Sequence, residues 1–299
     1  RDNWTIELCR ELPDPADQRD CAVAAHYWTR ILLRLPASGA GKEEILAECA
    51  KIPADFATMH DVCAAVADSP MDYNQSHKTF SDEIPSVAHS NLLFAQNAAA
   101  WSDDTSKWGA GYGGWTWNAK FADVDNDTWQ DLFIAQGTRL RLYNPSNVLY
   151  RNRKGAKLTE ATDAAGLDDH LPTASFLFLD YDLDGDLDII TYPLGLTPAV
   201  WRNDSPAGAG LEVRLDDQRG GNRYGVGARV EIRAPDGRLQ MRDIKASGGH
   251  QSHDLLVARF GLGDWPSVSS VKVAWPDGTA SELAGAALAS GRYRLVRRK

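Results

Sequence analysis

No cysteine follows Cys63 in this chain of 299 residues; the four present, Cys9, Cys21, Cys49 and Cys63, all lie in the first 63. Their spacings make neither CxxC nor CxxCH, so zinc-ribbon, thioredoxin-like and c-type haem readings lack support. No apolar run approaches the ~18 residues that a membrane-spanning helix needs. There is no basic surplus either. The formal net charge is -9, which argues against a nucleic-acid surface, because neutralising phosphates takes clustered Lys and Arg. GxSxG, HExxH and the P-loop are all missing, and with them the recognisable local signatures of a nucleophile, a zinc protease or a nucleotide site. The chain opens at Arg1 without a signal-like apolar stretch, so the expectation is a removed signal or a missing upstream piece.

The residues that are present describe a folded, mostly β protein with an unusual start. Apolar residues make up 43% and charged residues 24%, close to average globular usage. An even number of cysteines confined to one segment predicts two disulfides in an oxidising compartment, in any of three pairings, with four buried free thiols as the alternative. The same segment reads as helical. ADQRDCAVAAHYWTRILLRL has helical spacing, GKEEILAECAKI follows Gly39–Gly41, and PADFATMHDVCAAVAD begins at a proline suited to a helix start.

After Pro70 the pattern changes to short alternating runs and Gly-rich turns. Residues 115–123, WTWNAKFAD, align with 172–180, PTASFLFLD, at an offset of 57, and each alternating strand runs into an acidic loop. SNLLFAQN from Ser90, SNVLYRNR from Ser146 and PAVWRNDS from Pro198 form a second recurrence. A period of about 50 to 57 residues with this much strand points to propeller blades. From Leu211 the strands lengthen, with Asp-Gly turns at 236–237 and 277–278, which predicts a β-sandwich. The expected architecture is therefore mainly β: residues 1–70 a disulfide-linked helical segment, 71–207 partial propeller-type blades, 208–299 a β-sandwich.

The acidic loops carry the chemistry. DVDNDTWQD begins at Asp123 and DYDLDGDLD at Asp180. In a plain half-buried strand, Asp180, Asp182, Asp184, Asp186 and Asp188 would stack like charges along one face. A hard divalent cation removes that repulsion, because Ca²⁺ takes six to eight oxygen ligands from a tight turn. Carboxylates at positions one, three and five are Asp123, Asp125 and Asp127 in the first loop, and Asp180, Asp182 and Asp184 in the second. Position seven, Trp129 or Asp186, can give a backbone carbonyl, and position nine supplies Asp131 or Asp188. Two Ca²⁺ sites are expected. Neither is an EF-hand, since position twelve is Ile134 or Thr191 rather than Glu and the flanks alternate like strands. Mg²⁺ suits them less, because it prefers near-octahedral sites with several waters. Thr128 stands where the first loop should have glycine.

WTWNAKFADVDNDTWQDLFIAQG and FLFLDYDLDGDLDIITY resemble the VCBS/FG-GAP repeats of the cartilage-acidic-protein family. NRYGVGAR from Asn222, GGHQS from Gly248, RFGLG from Arg259 and WPDG from Trp275 resemble that family's C-terminal ASPIC/UnbV domain. The likeness covers roughly residues 85–299. It implies calcium-binding propeller blades in a secreted protein, with Asp123, Asp125, Asp127, Asp131, Asp180, Asp182, Asp184 and Asp188 as the ligands. Residues 1–70 have no counterpart in the family's repeats.

Other features are weaker. His250 and His253 form HxxH without a third ligand nearby, so a polar turn is the expectation. Trp115, Trp117 and Phe121 share a strand face, for which packing between blades is expected over a carbohydrate platform. Asn3, Asn126 and Asn203 match a glycosylation acceptor, one of them inside an acidic loop. The composite expectation is a secreted or periplasmic calcium-binding interaction or scaffold protein, a subunit of a larger assembly with other protein subunits, with no nucleic-acid partner and no membrane span. The alternative is a calcium-dependent enzyme or an enzyme's accessory subunit. Little more than two blades fit in 72–205, whereas closed propellers use four to eight. Their edges should therefore be covered by residues 1–70, another subunit or further blades.

Overall fold

The computed structural model describes residues 41–52, 54, 60, 63, 64, 67, 68, 91–97, 100–137, 146–205 and 208–298. Cys9, Cys21, Asn3 and the helical stretch expected before residue 40 lie outside them. The chain divides into two compact units, Arg1–Trp117 with Phe133–Ala174, and Asn118–Leu132 with Ser175–Lys299. Among the described residues, no helix is long and apolar enough to cross a membrane.

In the first unit, α1 (Lys42–Cys49) forms where GKEEILAECAKI predicts it. The Gly41 N–H donates to Glu44 Oε2 at 3.2 Å, closing the first turn with a side chain three residues on. Ile45 and Cys49, four apart, share the buried face. Cys49 is disulfide-bonded to Cys63, which bears out that half of the stapled segment. A hairpin follows, β1 (Phe94–Asn97) against β2 (Ala100–Asp103), then the single turn α2 (Thr105–Trp108).

The repeats form two sheets. The first has β3 (Thr116–Ala122), β4 (Asp131–Gln136), β5 (Val148–Asn152) and β6 (Leu158–Glu160) in sequential order; the second has β7 (Thr173–Leu179), β8 (Asp188–Pro193) and β9 (Ala199–Trp201). Strand β4 is buried throughout, as a run of DLFIAQ without polar alternation requires. Strand β3 corrects one expectation. Its inward positions are Asn118, Lys120 and Ala122, while Trp115 is 55% and Phe121 49% exposed and Trp117 half-buried, so that aromatic face is only partly covered.

The C-terminal segment is the expected sandwich. One sheet holds β10 (Ala209–Asp217) between β13 (Val257–Gly263) and β16 (Gly291–Arg297); the other orders β12 (Leu239–Asp243), β11 (Arg229–Arg233), β14 (Val268–Ala274) and β15 (Ala280–Leu288). β10 and β16 run parallel, every other neighbouring pair antiparallel. Alternate residues Leu211, Val213, Leu215, Val230, Ile232, Val271 and Val273 meet Phe260 and Trp275 in one core. Both Asp-Gly turns are present, with Gly237 at φ 88° and Gly278 at φ 82°.

Within the second unit, the turn 248–254 reaches the repeat strands. Asp254 Oδ1 accepts the Phe178 N–H of β7 at 2.8 Å and the Lys120 ammonium of β3 at 2.9 Å. Lys120 also donates to the Phe176 carbonyl at 2.8 Å, and Asn118 Nδ2 to Ser252 Oγ at 3.0 Å. At these points the strands are covered by the chain's own C-terminal segment, which was not among the covers expected from sequence. His250 and His253 sit in this turn, and His253 Nδ1 lies 3.1 Å from the Asp254 carbonyl. The turn meets the repeat strands through Asp254.

Candidate metal centre

Both acidic loops join consecutive strands. The first leaves β3 at Asp123 and enters β4 at Asp131, and the second leaves β7 at Asp180 and enters β8 at Asp188. Their backbones repeat each other position by position. Asn126 (φ 54°) corresponds to Leu183 (φ 69°), and Thr128 (φ 85°) to Gly185 (φ 107°). The missing glycine therefore does not change the turn: Thr128 adopts the left-handed conformation at a cost that a β-branched residue rarely bears.

Hydrogen bonding repeats too. The Thr128 N–H donates to Asp123 Oδ2 at 2.9 Å, and the Gly185 N–H to Asp180 Oδ2 at 3.2 Å. Asp131 Oδ2 accepts the Val124 N–H at 3.3 Å as Asp188 Oδ2 accepts that of Tyr181 at 2.9 Å. At position five, Asp127 Oδ1 takes the Trp129 N–H at 2.8 Å and Asp184 Oδ1 the Asp186 N–H at 3.1 Å. Asn203, from the recurring segment PAVWRNDS, joins the two loops. Its N–H donates to Asp188 Oδ1 at 2.8 Å, and its side-chain amide to the Val124 carbonyl at 2.6 Å. Asn126 is itself buried, so the acceptor match there offers no accessible glycosylation site.

The turns converge their carboxylates at positions one, three and nine. Asp123, Asp125 and Asp131 bring ligand atoms within 4.8 Å of one another, as do Asp180, Asp182 and Asp188. Each triad could hold a metal ion. The positions are wholly oxygen-bearing, which suits a hard cation. Asp180 Oδ1 is buried and takes no hydrogen bond, and a buried carboxylate oxygen is costly unless something positive meets it. The residues present thus fit a divalent cation.

Electrostatics agree. Burial, and then the carboxylates of Asp127, Asp125 and Asp131, push the Asp123 carboxyl up to about 7. Burial and then Asp184 push Asp186 up to about 7. Burial also raises Asp188, against hydrogen bonds from Asn203 and Tyr181. Asp180 goes the other way. Burial would raise it, but the guanidiniums of Arg292 and Arg259 outweigh that and hold it below the usual carboxylate range.

Those arginines are the residues that sequence reasoning missed. Arg259 lies in β13 and Arg292 in β16, yet both donate to Asp180 Oδ2, Arg259 at 3.0 Å. Lys120 and Asp254 were missed as well, although a lysine at an inward position of an alternating strand signals a buried partner.

No curated protein matches the chain. A family model described as ASPIC and UnbV matches residues 218–296, over the sandwich. A model described as FG-GAP-like repeat matches residues 123–191, from the first aspartate of one loop to just past the last of the other. The chain therefore carries an FG-GAP-like repeat followed by an ASPIC and UnbV domain.

Proposed function

We propose that this chain is a secreted or periplasmic calcium-binding interaction or scaffold protein of the cartilage-acidic-protein-like kind and a subunit of a larger assembly. A Cys-rich helical segment (1–70), calcium-binding repeats (71–207) and the C-terminal domain (208–299) are its parts. One observation carries this: two loops 57 residues apart in sequence repeat the same two positive-φ positions, three of the same hydrogen bonds and the same triad of carboxylates. Repetition of that detail in a strained turn is hard to explain by solvation alone.

Asp123, Asp125, Asp127 and Asp131 hold one Ca²⁺, and Asp180, Asp182, Asp184 and Asp188 the other, with the Trp129 and Asp186 carbonyls available at position seven. Calcium supplies positive charge beyond that which Arg259 and Arg292 bring to Asp180. Extracellular calcium is abundant enough to fill even sites of ~10⁻⁴–10⁻³ M affinity, and the Cys49–Cys63 disulfide suits an oxidising compartment.

Titration calorimetry with CaCl₂ and MgCl₂ tests the metal. Two calcium sites that magnesium fills poorly are expected; no calcium uptake, or equal affinity for magnesium, overturns the assignment. Isolating the native protein in calcium or in chelator, with mass spectrometry of what accompanies it, tests the assembly. A chain that comes out alone in both conditions removes that part of the reading.

A further inference from the structure

The acidic loops serve as a seat for the C-terminal domain. On β13, Arg259 and Gly261 occupy alternate positions and so share one face, while Gly263 lies beyond a register shift and has a left-handed backbone, φ 53°. The antiparallel neighbour β10 sets Gly210 opposite Gly261 and Ala209 opposite Gly263. The Gly263 N–H donates to the Asn126 carbonyl at 2.7 Å, and the Gly208 N–H to that of Asp125 at 3.2 Å. A Cβ at Gly210 would stand 2.6 Å from the Gly185 carbonyl oxygen, one at Gly208 2.7 Å from that of Asn126, and one at Gly261 would overlap Asp123 Oδ2. Only glycine permits this approach of backbone to both loops.

Arg259 completes the seat. Its guanidinium donates to Asp180 Oδ2 at 3.0 Å and Glu212 Oε2 at 3.1 Å through Nη1, and to the Gly185 carbonyl at 2.8 Å and the Asp186 carbonyl at 3.4 Å through Nη2. One planar group thus fixes the first carboxylate of the second loop together with the turn that follows it. Arg292 shares Asp180 Oδ2. The other oxygen, Oδ1, is left without a hydrogen bond.

We propose that Arg259 is a positioning residue for the second loop's cation, and that cation binding and the seating of the C-terminal domain reinforce each other. The inference rests on the loops being calcium sites. Arg259 pins Oδ2, which leaves Oδ1 as the oxygen offered to the ion. Partners that orient ligands in this way typically account for 10- to 100-fold in metal affinity. Plain electrostatics argues the opposite sign, because a guanidinium beside a cation site repels the cation and its removal should tighten binding. By linkage, the factor by which seating raises calcium affinity is also the factor by which calcium favours seating.

The test uses the full chain, each variant first shown folded by circular dichroism. Calcium calorimetry compares the parent with Arg259→Met, Arg259→Lys, Gly261→Ala and Arg229→Met, the last breaking a pair with Asp243 away from both loops. Hydrogen exchange follows the Gly208 and Gly263 amides in calcium and in chelator. Expected are at least a tenfold loss at one of two sites in Arg259→Met, partial recovery in Arg259→Lys and weakening of the other site in Gly261→Ala. Arg229→Met should bind like the parent, and calcium should slow both amides at least tenfold. Arg259→Met binding as tightly as the parent or more so, or amides indifferent to calcium in a parent that binds it, overturns the inference. If Arg259→Met does not fold, Gly261→Ala and the exchange measurement decide it. A parent that takes up no calcium fails earlier, taking the calcium reading and this inference down together.

Discussion

Thr128 and Gly185 hold the same left-handed backbone, φ 85° and 107°, at the sixth position of the two acidic loops, and each donates its N–H to the first aspartate of its own loop. A β-branched residue is strained there by ~1–2 kcal/mol, against the ~0.5–1 kcal/mol of extra chain entropy that glycine loses on folding. Thr128→Gly should therefore stabilise the fold by up to ~1 kcal/mol, and Gly185→Ala should destabilise it by about as much. Urea midpoints at constant m-value measure both; a destabilised Thr128→Gly contradicts the strain argument.

Calcium should raise the melting temperature, since a ligand bound only by the folded chain adds ~2.7 kcal/mol at a hundred times its Kd. Asp182 separates binding from folding because it is exposed yet belongs to the second triad. Asp182→Asn should leave the melting temperature in chelator within a degree or two of the parent and cut the calcium-induced rise. An unchanged rise would remove Asp182 from the ligand set.

Two buried aspartates should respond to pH in opposite directions. Burial pushes Asp169 from 3.8 up to about 6, against hydrogen bonds from Leu171 and Ser146. Its contribution is therefore full below the unfolded value and is lost as pH rises through about 6, a change worth up to ~3 kcal/mol. Asp216 is held down to about 2, first by Arg223, then Gln218 and Arg294, so its contribution is present above the unfolded value and disappears as pH falls through about 2. The difference between parent and Asp169→Asn stability should vary between pH ~4 and ~6, and that for Asp216→Asn below pH ~4. Chemical denaturation across a pH series reads both, and parallel curves for parent and variant would exclude the residue concerned.

The Cys49–Cys63 disulfide spans a sequence separation of 14, and closing a loop of that size is worth ~3 kcal/mol in the unfolded chain. Reduction, or the double change Cys49→Ala with Cys63→Ala, should lower stability by ~2–3 kcal/mol, with the loss centred on α1. Thiol alkylation followed by intact mass should find both cysteines protected until reductant is added. Labelling of either one in unreduced native protein would contradict the bond.

Local repetition was legible in the sequence. The offset of 57 residues, the alternation leading into each loop, the odd-numbered aspartates and the Asp-Gly turns are short-range patterns, and each dictates its structure through steric and hydrogen-bonding rules acting within a few residues. That is why the helix at 42–49, the paired loops and the sandwich strands occur where the pattern puts them. The partial exposure of the face carrying Trp115 and Phe121 is not legible for a related reason: alternation shows which residues share a face but not which face lies inward.

Only the tertiary structure decided which distant residues complete the loops. Arg259 is 79 residues from Asp180 and Arg292 is 112, while Lys120 and Asp254 are 134 apart. Nothing periodic links such positions. The arginines reach Asp180 because β13, β10 and β16 form one sheet whose glycines allow close backbone approach, and that approach brings a guanidinium to a carboxylate whose charge had no neutralising partner in its own loop. The sequence by itself determined where a cation could be held, through the spacing of oxygen ligands along a turn. Packing of the sheets determined what holds those ligands still.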